Sequence, residues 1–75
     1  MQTRPLYEVA REIRKVWPKV SPYAKPYLDA MGQLDKITDD YYQDTGKSVV
    51  LYFLANAASF KGDDAKRIKA ELKAM

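Results

Sequence analysis

Residues 49–60, VVLYFLANAASF, are the longest mostly apolar stretch of the sequence and decide which fold we expect. The composition of residues 49–54 suits a β-strand. However, the alanine-rich residues 55–60 continue the stretch without a turn signal, which favours a long buried helix, and no second apolar segment offers a partner strand. We therefore predict a helix over residues 45–60, apolar on all sides, with Asn56 as a hydrogen-bonded residue of the core.

Two amphipathic helices are predicted before this stretch. The first covers residues 5–17, because proline suits the first helical position and apolar residues follow at intervals of three and four. Pro18 ends it, since the residue before a proline avoids the α conformation. A turn over residues 21–25 leads into the second helix, which opens near Pro26. Its apolar residues recur at helical spacing and are Tyr27, Leu28, Met31, Leu34 and Ile37.

The acidic residues 38–47 are predicted to form the main loop, with Asp44 as the N-cap of the third helix. Gly62 is predicted to end that helix, and two aspartates, which complement the positive end of a helix dipole, begin a fourth. The apolar stripe of the fourth helix is Ala65, Ile68, Leu72 and Met75. The predicted fold class is all-α: one domain, residues 1–75, in which about four helices form a compact bundle with the apolar third helix at its centre.

Composition narrows the possible functions. The 75 residues include no cysteine and no histidine, so we expect no disulfide, no Cys/His zinc site and no cofactor. A domain this small is marginally stable, which leaves tight helix packing or self-association to stabilise it. The first 15 residues carry too many charges for a signal peptide, and the longest apolar run is too short to cross a membrane. We expect a soluble, cytoplasmic protein.

Three patterns that suggest chemistry fail on inspection. Residues 46–48, GKS, end like a phosphate-binding loop, but the glycine that this loop needs five positions earlier is Tyr41. Four aspartates in and just before the loop lack the spacing of a calcium-binding loop. They are Asp35, Asp39, Asp40 and Asp44. Nucleophilic catalysis needs an activated side chain beside a base, and none stands in a recognisable pattern, so we expect no enzyme.

Two surfaces remain as candidates for binding a partner. The first is basic and suits the phosphates of nucleic acid, although acidic residues are interspersed and the net charge is only +3. It comprises Arg11, Arg14 and Lys15 of the first helix and Lys66, Arg67, Lys69 and Lys73 of the last. The second is an aromatic cluster beside the proline turn, Trp17, Tyr23 and Tyr27, of the kind enriched at protein interfaces. Packing of these rings at the edge of the core is an equally good explanation.

Residues 8–14, 26–31, 46–50, 52–57 and 65–73 give the chain a resemblance that spans most of its length. In overall pattern it resembles small, mostly uncharacterised proteins encoded by bacteriophages and prophages. The resemblance implies a bacterial cytoplasm and an accessory role, and it brings no catalytic residues. Our main hypothesis is a helical module that binds a protein, with pairing of the chain with itself as a homodimer among the options. The alternative is a nucleic-acid-binding accessory protein that uses the basic faces.

Overall fold

The computed structural model describes residues 4–42 and 44–75. These residues form four helices and one short hairpin. In chain order the elements are α1 (Leu6–Val16), α2 (Lys25–Met31), β1 (Asp40–Tyr41), β2 (Asp44–Thr45), α3 (Gly46–Ala55) and α4 (Asp63–Lys73). The strands pair antiparallel, Asp40 with Thr45 and Tyr41 with Asp44. The helical prediction therefore holds for most of the described chain, but all-α is too strict, because a two-stranded hairpin lies where a plain loop is predicted.

The core draws apolar side chains from all four helices. The largest fully buried ones are Leu6, Val9 and Ile13 from α1, Leu28 and Met31 from α2, Val50 and Phe53 from α3, and Ile68 and Leu72 from α4. α1 packs against both α2 and α4, while α2 packs against α3. The third helix, which is predicted to be buried on all sides, is open on one side, since Leu51 is 57% exposed and Tyr52 is 51% exposed.

Two helices end earlier than the sequence predicts. α2 stops at Met31, and the amide of Leu34 then bonds to the Met31 carbonyl in a turn, so Leu34 reaches the core from outside the helix. α3 stops at Ala55 because Asn56 caps it. The Asn56 side chain donates to the Tyr52 carbonyl at 2.9 Å. Asn56 is thus a half-exposed C-cap and not the core residue that we predicted.

Residues 34–39 supply hydrogen-bond acceptors to the first turns of two helices, α1 and α3. The first amides of a helix have no partner within the helix and must find one elsewhere. Carbonyls of this segment accept two such amides from α1 and two from α3. The pairs are Leu6 to Asp35 at 2.8 Å, Tyr7 to Leu34 at 2.9 Å, Gly46 to Asp39 at 2.7 Å and Lys47 to Ile37 at 2.8 Å. The Asp39 carboxylate also accepts from the amides of Asp35 and Lys36, which fixes the turn.

The start of α3 differs from the prediction by one residue. Thr45 is the N-cap, and its hydroxyl oxygen accepts from the Ser48 amide at 3.2 Å. Asp44 is exposed and paired in the hairpin instead. Gly46 follows directly and is buried: a Cβ there would lie 2.8 Å from the carbonyl oxygens of both Lys36 and Ile37. The glycine of the GKS sequence thus permits a close backbone approach at a helix start.

Gly62 lies at the start of the last helix. The sequence predicts that it ends α3, but α3 has already ended, and Gly62 precedes α4 with a φ of 110°. This value lies in the region that glycine adopts without the steric cost other residues meet. Asp63 and Asp64 form the first turn of α4, as predicted.

Candidate functional site

Two of the predicted basic residues form ion pairs between helices. Arg14 of α1 pairs with Asp29 of α2. Arg67 of α4 pairs with Glu12 of α1 at 2.6 Å and with Asp64 of its own helix at 3.4 Å. Their guanidinium groups are therefore already engaged by carboxylates of the same chain, which makes them poor ligands for phosphate.

Glu12 lies at the centre of a charge network that joins α1, α4 and the segment before α1. Its carboxylate contacts Arg67 on one side and Arg4, at 2.8 Å, on the other. Arg4 also makes a two-pronged contact with Glu71, at 2.8 Å and 2.6 Å. The hydrogen bonds from Arg67 and then Arg4 lower the pKa of Glu12 below its ordinary value of 4.5. Sequence reasoning missed Arg4, because its partner Glu71 is 67 positions away.

Lys69 supports the backbone between α3 and α4. Its ammonium group donates to the carbonyls of Ala57, at 2.8 Å, and Phe60, at 2.7 Å. Burial lowers the pKa of Lys69, and the charges of Lys73 and Lys61 lower it further. Lys69 therefore holds a turn in place and is not an exposed member of a basic face.

The other four predicted basic residues are exposed but spread over different sides. They are Arg11, Lys15, Lys66 and Lys73, and they form no ion pair with residues 4–42 or 44–75. On α4, Arg67 faces α1, whereas Lys69 faces residues 57–60. Lys66 and Lys73 are three before and four after Lys69 and so share its side of the helix. The two predicted basic faces therefore do not merge into one surface.

The aromatic cluster separates into a core residue and surface residues. Trp17 is only 7% exposed. Its ring stacks on Phe60 at 4.8 Å and meets Phe53 edge-on at 6.3 Å. Of the two explanations for Trp17, packing in the core is the one that its burial supports. Tyr23 is 75% exposed, as an interface residue would be. Tyr27 is half-buried and stacks on Tyr52 at 5.4 Å.

The stacking of Tyr27 on Tyr52 points to an open surface of α3, with apolar side chains at its centre, that the sequence did not indicate. Lys47, Leu51 and Ala55 are spaced four apart, form one row along α3 and are all exposed. Ser48 and Tyr52 form the adjacent row. We call these five residues the α3 open face. The sequence missed it because an apolar helix shows no pattern that distinguishes its covered side from its open one.

A cavity lies beside the charge network of Arg4. This cavity, about 420 Å³, lies between Arg4, residues 35–38, Ala74 and Met75. Its Arg4 guanidinium is engaged by Glu12 and Glu71. Within residues 4–42 and 44–75, no group of three or more His, Cys, Asp or Glu side chains is arranged to hold a metal ion. Across the same residues, no helix combines the length and apolar character needed to span a membrane.

Comparisons with other proteins give no further guide to the site. The chain matches no protein-family model, no curated protein and no solved structure. The resemblance to small phage proteins therefore stays a prediction, and the geometry of the chain itself carries the functional argument.

Proposed function

We propose that the protein is a small helical interaction module that acts by binding another protein through the α3 open face. One observation carries this proposal: Leu51 and Tyr52, two large side chains adjacent on one helix, are each more than half exposed. Clustered exposed apolar side chains, and tyrosine in particular, mark protein contact surfaces. An accessory role in a bacterial cytoplasm, without catalysis, accords with the phage resemblance and belongs to the proposal.

A photo-crosslinking amino acid at position 51, introduced in the native host, tests this function. Position 70 is the matched control, because Ala70 is exposed on a different helix, α4. We expect a crosslinked protein from position 51 that is absent from position 70. The captured protein, once purified, is expected to bind the wild-type chain and the Ala70→Lys variant equally.

The Leu51→Lys variant is expected to bind that partner at least about tenfold more weakly, because a charge then has to be buried, and tenfold corresponds to about 1.4 kcal/mol. Identical crosslinks from positions 51 and 70, or unchanged binding by Leu51→Lys, would contradict the proposal.

Nucleic-acid binding is the second candidate, favoured by the exposure of Arg11, Lys15, Lys66 and Lys73. Binding through phosphates is strongest at low salt. If this is the function, the chain shifts DNA or RNA in a gel at about 50 mM salt, and the Lys66→Glu/Lys73→Glu variant loses the shift. No shift at that salt concentration excludes the candidate.

A further inference from the structure

We propose that the partner covering the α3 open face is a second copy of this chain, with the two α3 helices antiparallel about a two-fold axis at Leu51. This inference rests on the proposed function, since it names the partner of the same surface. Both the order of residues along the α3 open face and the charges of α3 support it.

The order of residues along the α3 open face suits a two-fold rotation about its middle residue. Leu51 is the middle residue of the row Lys47, Leu51 and Ala55. A two-fold axis through Leu51 therefore places Lys47 of each copy beside the partner's Ala55. Ala55 and Ser48 are small, which leaves room on either side for the Leu51 side chain of the other copy. An interface of this kind uses the same patch on both copies and closes at two.

The charges of α3 favour an antiparallel copy over a parallel one. The first turn of α3 contains Lys47 and no acidic residue, and its last turn contains no basic residue. Both turns are fully described in the structure. A cation is unfavourable at the positive N-terminal end of a helix and favourable at the negative C-terminal end. Antiparallel pairing brings each Lys47 to the C-terminal end of the partner helix, so it supplies the cation that is missing there.

The size of the face predicts a weak pair. α3 has ten residues, which gives a length of about 15 Å. Even with Tyr27 at its edge, a helix pair of this length buries less than about 1,200 Å² in total, the range of transient contacts. We therefore expect the pairing to be weak and appreciable only at high protein concentration.

Analytical ultracentrifugation from about 10 μM to about 1 mM, where a weak contact is expected to form, tests the pairing. The wild-type chain is expected to move from monomer to dimer. Leu51→Lys places two like charges at the axis and is expected to stay monomeric throughout. Ala70→Lys adds the same charge on α4 and is expected to dimerise like the wild type. A wild-type chain that is monomeric at the highest concentration, or a Leu51→Lys variant that dimerises equally, overturns the inference.

A single thiol tests the position of the axis. The sequence contains no cysteine, so Leu51→Cys introduces the only one. If Leu51 faces its own copy, mild oxidation is expected to give a covalent dimer at least about tenfold faster than in the Ala70→Cys control, because the pair holds the thiols together. Equal rates for the two variants overturn the arrangement.

The outcomes separate this inference from the proposed function. A chain that is monomeric in the centrifuge but crosslinks from position 51 to a different protein refutes self-pairing and leaves the interaction module in place. A chain that is monomeric and gives no specific crosslink from position 51 refutes both.

Discussion

Gly46 is a residue where even one added carbon atom would clash with the backbone. Its Cα faces two backbone carbonyls, of Lys36 and Ile37, and a Cβ would lie 2.8 Å from each oxygen. Backbone atoms yield less readily than the end of a flexible side chain. We expect Gly46→Ala to lower the free energy of unfolding by about 1–3 kcal/mol, as for other forced overpacking. Urea titration followed by circular dichroism measures the change.

Gly32→Ala is the matched control for this substitution. The nearest atom to a Cβ at Gly32 is the Asp29 carbonyl oxygen at 3.3 Å, a contact that a small shift relieves. We expect a change within about 1 kcal/mol, because Gly32 already has a helical backbone conformation. Equal losses in the two variants would show that close approach is not the reason for glycine at position 46.

The role of Gly46 was only half visible in the sequence. The missing upstream glycine was sufficient to reject a phosphate-binding loop and to predict a helix start. The close approach of Lys36 and Ile37 was not visible, because it depends on how residues 34–39 fold back against α3. The local conformation of a residue can be inferred from its neighbours in the sequence. The space around its side chain depends on residues that are distant in the sequence but close in the fold.

At the scale of elements, the N-cap of α3 distinguishes two adjacent residues. Thr45 accepts the Ser48 amide, whereas the exposed Asp44 pairs through its backbone in the hairpin. Thr45→Ala is expected to cost about 1 kcal/mol, the usual effect of removing a cap. Asp44→Ala is expected to change stability by no more than about 0.5 kcal/mol, as for most surface substitutions. Thermal unfolding of both variants checks this; the reverse order would restore Asp44 as the cap.

The contact between α1 and α4 is expected to weaken in acid through Glu12. The pKa of Glu12 is lowered in the folded chain from its ordinary value of 4.5, so the unfolded chain binds this proton first as the pH falls. The contribution to stability is complete above pH 4.5 and is lost as the pH falls through the lowered pKa. Because the network is partly exposed to solvent, we expect at most about 1 kcal/mol.

Melting temperatures of the wild type and Glu12→Gln, measured from neutral pH to below pH 4, test this expectation. Glu12→Gln should be less stable at neutral pH and should lose less on acidification. Glu8→Gln is the control, because Glu8 is exposed on the same helix. Parallel pH curves for the wild type and Glu12→Gln would exclude the network as the source.

The elements themselves were largely predictable, and their ends were not. Proline and apolar spacing predicted α1 to within one residue at each end, and two aspartates predicted the start of α4. The same reasoning extended α2 to Ile37 and α3 to Phe60, since buried residues continue beyond both helices. Leu34 and Phe60 are buried from turns, which a helical spacing in the sequence does not distinguish from a longer helix.

At the scale of the whole molecule, a substitution of Trp17 tests how small the total stability of the chain is. A domain of 75 residues has about 4–11 kcal/mol of stability in total. Trp17 stacks on Phe60 in the core, so Trp17→Ala is expected to cost about 3–5 kcal/mol and to leave a large unfolded fraction. Tyr23→Ala, at an exposed ring, is expected to cost less than about 0.5 kcal/mol. Urea titration compares the two variants. A small loss of unfolding free energy for Trp17→Ala would show that Trp17 does not pack in the core.

The arrangement of the helices was the least predictable level. The apolar third segment predicts a helix surrounded by the others, yet α3 packs mainly against α2, while α1 packs against α2 and α4. The network of Arg4, Glu12 and Glu71 fixes part of this arrangement across distances in sequence that no local pattern records. The candidate binding surface differs from the predicted one for the same reason: Trp17 lies in the core, whereas Tyr52 is exposed.

The shared turn at residues 34–39 has a consequence for motion. It supplies acceptors to the amides of Leu6 and Tyr7 as well as to those of Gly46 and Lys47, about 40 positions later. If this turn opens, all four amide protons become exposed to solvent together, so we expect them to exchange with deuterium at similar rates. Any partner that steadies the first turn of α3 should then slow exchange at the start of α1 too, transmitting its presence to the far helix without touching it.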